Sequence, residues 1–136
     1  MGTDIRLNMT EDEKRALRNI LDRHDATVYT SAQDGELVSE IEFYSDLGED
    51  FIMSIFWDGT ATGFAKSFLS YSEDFDPYEH ACLYISMGYS ERKRLQVPED
   101  NAALIKDALK IKKTMRRIAR ELNRQFNAHY KKGAAK

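Results

Sequence analysis

The sequence predicts an α+β fold, ordered as an N-terminal helix, a three-stranded antiparallel meander, a crossover helix with a fourth strand, and a long C-terminal helix. Three observations predict it. Apolar residues recur at three and four around Leu17, Ile20 and Leu21, and again from Leu104 to Leu122. Between these stretches the period is two, from Ala26 to Trp57. Turn-forming residues, Gln33-Asp34-Gly35 and Asp46-Leu47-Gly48, divide the alternating region into three runs.

The first helix starts at Thr10, whose hydroxyl and the Glu13 carboxylate form a capping box, and it should end near Arg23. The strands carry Leu37, Ile41 and Phe43, then Phe51, Met53, Ile55 and Trp57, on one face. Glu40 and Glu42 fall on the other. Asp58 or Thr60 can cap a second helix from about Ala61 to Ser70, placing Phe64 and Phe68 against the sheet. Gly63 within it costs about 1 kcal/mol relative to Ala, and a close approach of helix to sheet would account for it. Pro77 bars a continuous helix, and Cys82-Leu83-Tyr84-Ile85 reads as the fourth strand. Pro98, Glu99 and Asp100 open the last helix. Leu104, Ile111 and Ile118 recur every seven residues, with Ala108, Met115 and Leu122 interleaved. That seam should pack on the rest of the domain, with pairing of two chains as the alternative.

The 136 residues, 42% of them hydrophobic, suit one domain over 1–130, with 131–136 as a disordered basic tail. No run approaches the about 20 apolar residues of a membrane span, and residues 1–10 lack a signal-peptide core, so a cytoplasmic protein with no membrane partner is expected. One cysteine, Cys82, excludes an internal disulfide.

Charge is strongly segregated. Asp34 to His80 holds twelve acids and one base, Lys66, whereas Glu91 to Lys136 holds fourteen bases and five acids. Such asymmetry speaks about partners rather than fold. Lys106, Lys110, Lys113, Arg117, Arg120 and Arg124, spaced four and three, form one cationic stripe opposite the seam, flanked by Lys112 and Arg116. A solvated helix face is the plain reading. An electrostatic track for nucleic acid or an acidic protein is the sharper one, and a third is that the helix answers the acidic face of a neighbouring protomer. The acids Glu40, Glu42, Glu49, Asp50, Glu73, Asp74 and Asp76 are ordinary surface carboxylates on the plain reading. On the sharper one they imitate a phosphate backbone and occupy a basic groove of a protein partner.

Asp74, Asp76, Glu79, His80 and Cys82 are the nearest approach to a metal set, with His80 and Cys82 on one strand face, yet neither calcium-loop nor zinc spacing is present. No nucleophile elbow, phosphate loop or dinucleotide fingerprint occurs. The expectation is therefore no catalytic residue, no metal and no cofactor. Tyr44, Tyr78 and Tyr89 are candidates for a contact surface.

The stretch Glu40 to Ile85, with Glu42-Phe43-Tyr44, Gly48-Glu49-Asp50-Phe51, Trp57-Asp58-Gly59-Thr60, Phe64, Phe68, Tyr71 and Glu73-Asp74-Phe75-Asp76-Pro77-Tyr78-Glu79-His80-Ala81, resembles small uncharacterised proteins of phages and conjugative elements of gut bacteria. The resemblance carries no catalytic residue. It implies a mobile-element setting, in which small accessory proteins often block host defence. A non-enzymatic inhibitor of a nucleic-acid-guided or restriction defence complex, anti-CRISPR or antirestriction-like, is the expectation it favours. A nucleic-acid-binding regulatory protein using the C-terminal helix is the alternative, and the chain is expected to be a monomer or a homodimer.

Overall fold

A computed structural model describes residues 7–47, 51–86 and 98–126. Glu49, Asp50, Tyr89 and the tail 131–136 lie outside them.

Helix α1 (Glu11–Arg23) begins with the expected capping box. The Thr10 hydroxyl accepts from the Glu13 amide at 3.0 Å, and the Glu13 carboxylate accepts from the Thr10 amide at 3.0 Å. After His24, Asp25 takes a φ of 57° and turns the chain into β1 (Ala26–Gln33). The two-residue loop Asp34-Gly35 has φ values of 50° and 81°. This left-handed pair matches the twist of an antiparallel hairpin, and it fixes β1 against β2 (Glu36–Phe43) in a register that sets Val28 opposite Ile41. Strand β3 (Phe51–Trp57) pairs with the other side of β2, so the sheet order is β1-β2-β3.

Parity decides most of what the sheet buries, with Val38 of β2 buried on the opposite face as the exception. Leu37, Ser39, Ile41 and Phe43 of β2 and Phe51, Met53, Ile55 and Trp57 of β3 all face inward and are buried. Ser39 is tolerated there because its hydroxyl accepts from Trp57 Nε1 at 2.9 Å and lies 2.7 Å from Thr30 Oγ1.

Helix α2 (Ala61–Asp74) covers β3 with Phe64 and Phe68, both fully buried and each worth about 1.5–3 kcal/mol of burial. The Phe64 ring meets Trp57 edge-on at 5.0 Å. The helix runs four residues past the expected Ser70. Thr60 is its N-cap, accepting from the Gly63 amide at 2.9 Å, while Asp58 accepts from the Thr60 amide and hydroxyl at 2.9 and 2.7 Å. Gly63 answers to this cap rather than to the sheet. A Cβ there would overlap the Asp58 carboxylate and stand 2.9 Å from the Thr60 hydroxyl.

The expected fourth strand is a helix. Cys82 to Ile85 belong to α3 (Pro77–Ser86), and the crossover unit does not form among the described residues. Asp76 is the physical reason. Its carboxylate accepts from the amides of Tyr78 and Glu79 at 3.0 and 3.3 Å, and Pro77 takes the first helical position, where its missing N–H costs nothing. Pro77 thus starts a helix as well as separating it from α2. A four-residue apolar run reads alike in strand and buried helix, so the cap outweighs it.

Helix α4 (Pro98–Phe126) packs on α2 and α3 and touches α1. Leu104, Ala108, Ile111, Met115, Ile118 and Leu122 are all buried within this one chain, so the seam is used for the domain and not for a coiled-coil partner. Among the described residues no helix is long and apolar enough to cross a membrane.

Candidate functional site

Once the seam of α4 is buried, helical geometry decides where its cations go. Residues three and four apart stack along one side, so Lys106, Lys110, Lys113, Arg117, Arg120 and Arg124 line the side opposite the seam, and each is exposed. At 1.5 Å per residue the stripe extends over about 27 Å. Arg116 is also exposed beside it. The cations from Lys106 to Arg120 line an open groove of about 1030 Å³, with Asp46 and Leu47, which follow β2, among the residues on its wall.

How much of this charge is neutralised by the acidic segment determines whether the groove can attract anything. Lys110 is, since its ammonium donates to the Asp46 carboxylate at 2.8 Å, a contact that also raises the Lys110 pKa. Lys106, Lys113, Arg116, Arg117, Arg120 and Arg124 make no ion pair among the described residues.

Lys112 is a structural cation. Its side chain borders the groove, but its ammonium donates to the backbone carbonyls of Ser72, Glu73 (3.3 Å) and Phe75 (2.7 Å), the acceptors that α2 leaves open at its C-terminus. Burial lowers its pKa, and neighbouring Arg116 acts in the same direction.

Asp107, which the charge pattern does not single out, is buried on α4. It accepts from the Ser45 hydroxyl and from the Asp46 amide at 3.4 Å, pinning the segment after β2 against the helix. Its place beside Leu104, Ala108 and Ile111 on the helical wheel was the available signal. At the far end, Glu121 accepts from Arg23 at 2.5 Å and pairs with His24 Nε2 at 2.7 Å. The His24 contact first, then Arg23, holds its carboxyl below the ordinary glutamate value.

Among the described residues, the acidic candidates do not gather into one surface. Glu40 and Glu42 are exposed on the outer face of the sheet, beside the exposed Tyr29, Ile52 and Phe56. Glu73, Asp74 and Asp76 sit where α2 passes into α3. There Lys112 adds its charge and Asp76 is occupied as a helix cap.

The imagined metal set is also dispersed. On a helix, His80 and Cys82 point apart, and the His80 ring stacks on Phe51 at 4.4 Å. Among the described residues no group of three or more His, Cys, Asp or Glu side chains is placed to hold a metal ion. Tyr44 and Tyr78 are exposed, as the sequence suggested.

Chemically, the groove offers fixed positive charge, guanidinium forks suited to paired phosphate oxygens, and short aliphatic wall residues. Comparison with protein-family models, with curated proteins and with solved structures finds no match for this chain.

Proposed function

We propose that this chain is a non-enzymatic binding protein whose recognition element is the cationic face of α4, and that this face takes the phosphate backbone of nucleic acid. One observation carries the reading: six exposed cations without ion-pair partners among the described residues, Lys106, Lys113, Arg116, Arg117, Arg120 and Arg124, share one face of one helix. A stripe of this kind supplies electrostatic affinity without reading bases. The likeness over Glu40 to Ile85 to proteins of phages and conjugative elements gives the reading a mobile-element setting, as an accessory or regulatory protein.

The test uses fluorescence anisotropy of labelled duplex and single-stranded oligonucleotides with the full chain and with the triple variant Lys113→Glu, Arg117→Glu, Arg120→Glu. Binding by the wild type that the variant loses, with unchanged circular dichroism, supports the proposal. Equal binding by both proteins overturns it.

A second reading has its own support. Glu40 and Glu42 stand exposed on a sheet face that also presents Tyr29 and Phe56. An inhibitor that docks these acids into the basic groove of a defence nuclease complex would use that face. Glu40→Lys with Glu42→Lys would abolish inhibition while leaving oligonucleotide binding intact.

A further inference from the structure

The outer face of the sheet differs from an ordinary solvated strand face. The cross-strand register places Tyr29 beside Glu40, Thr27 beside Glu42, Glu42 beside Ile52, and Val38 beside Phe56. Tyr29, Ile52 and Phe56 are 69%, 50% and 56% exposed. Ile52 and Phe56 occupy the parity of β3 that alternation reserves for polar residues. Among the described residues the helices do not cover this face, because α1 and α2 pack from the side of Ile41, Met53 and Phe43. The result is a central pair of carboxylates, Glu40 and Glu42 on β2, flanked by exposed apolar and aromatic side chains on β1 and β3.

The exposed side of α4 is its counterpart in charge. Leu109, 40% exposed, lies three residues after Lys106, four before Lys113 and seven before Arg116, and so shares their side of the helix. It makes a small apolar contact framed by cations. Long lysine and arginine stems add further apolar surface, and guanidinium planes stack on tyrosine and phenylalanine rings.

We propose that the outer sheet face of one copy receives the cationic face of α4 from a second copy of this chain. The occupant follows from charge. Pairing two sheet faces would bring Glu40 and Glu42 of both copies together, and pairing two α4 faces would oppose Arg117 and Arg120 of both. Sheet against helix matches every sign. Since the two patches are different surfaces, the contact is head-to-tail and propagates unless a ring closes. The inference goes beyond the nucleic-acid reading while using the same helix face, so polyanion and second copy compete for it.

Analytical ultracentrifugation of the nucleic-acid-free full chain supplies the test. At about 0.01 M salt, where the Debye length is about 30 Å, the mass rises above the monomer value of 15.7 kDa as concentration increases; at about 1 M salt it returns to the monomer. Two variants at exposed positions separate the faces. Glu40→Gln with Glu42→Gln weakens the sheet face, and Lys113→Gln with Arg117→Gln weakens the helix face. Each alone stays monomeric at low salt, whereas their mixture forms complexes that stop at two copies, because each contributes one intact patch. Duplex oligonucleotide added to the wild type reduces the mass distribution to single copies.

A wild type that remains monomeric at low salt overturns the proposal, as does a mixture of variants that does not associate. So does an assembly that survives high salt. Assembly without oligonucleotide binding would sink the nucleic-acid reading and leave this one standing.

Discussion

Adjacent lysines on α4 have opposite duties, and the same substitution at each should separate them. Lys112 donates to three carbonyls at the end of α2, while Lys113 lines the groove with no ion pair among the described residues. Methionine keeps the aliphatic stem and removes the charge. Hydrogen bonds from a charged donor are worth about 1.5–3 kcal/mol each in well-buried settings. Lys112 is only partly buried and its three bonds share one ammonium, so solvent screening reduces the total to about 1–3 kcal/mol. For a chain of this size that is a fall in Tm of about 3–9 °C. Lys113→Met should change stability by less than about 0.5 kcal/mol, as exposed substitutions do. Urea unfolding gives both free energies, and anisotropy gives both oligonucleotide affinities. Lys112→Met is expected to destabilise with little change in affinity for the fraction that remains folded; Lys113→Met is expected to do the reverse. If the two variants are equally destabilising, or if Lys112→Met costs the greater affinity, the division of cations between capping and recognition is mistaken.

Gly63→Ala should destabilise despite a gain of about 1 kcal/mol in helix propensity, because the new methyl displaces Asp58 from its two bonds to Thr60; thermal unfolding of Gly63→Ala beside Gly63→Ala/Asp58→Ala checks this, and the second variant should recover part of the loss. Glu121 ties α4 to the end of α1. Since its folded pKa lies below the ordinary value of 4.5, its contribution is present above that pH and disappears as pH falls through the folded pKa. Glu121→Gln should therefore cost about 1 kcal/mol at neutral pH and progressively less below about pH 4.5, measured by urea unfolding across that range. A cost that stays constant into acid would show that the carboxylate charge is not what Arg23 and His24 recognise.

Local chemistry made much of this fold legible in the sequence. Thr10 with Glu13 and Asp34 with Gly35 each name a structure through a backbone requirement that few other residues meet, and the period of two across β2 and β3 marks the strands despite Val38, Ile52 and Phe56. The long helix was readable because its seam and its stripe fall on opposite sides of one wheel. Cys82 to Ile85 was misread because a short apolar run carries no period, and the deciding signal lay upstream in the carboxylate of Asp76. Gly63 was assigned the wrong cause because the cap that excludes a side chain at that position forms only when the turn closes. Whether a cation serves a partner or a helix end is a tertiary matter. Lys112 looked like an outlying member of the stripe until α2 ended beside it. Ile52 and Phe56 were out of phase with burial, which was visible in the alternation and is the signature of the uncovered sheet face.

The central claim is that the cations of α4 are presented outward and available together, and salt dependence of binding measures it most directly. Each phosphate neutralised contributes a slope of about −0.9 to a plot of log affinity against log salt on duplex DNA. Six available cations set a ceiling near −5.4, or about three decades of affinity between 50 and 200 mM salt. A steep negative slope of at most that size is expected, reduced by up to about 2.7 when Lys113, Arg117 and Arg120 are reversed together. A slope near zero, or one that the triple variant leaves unchanged, would contradict it.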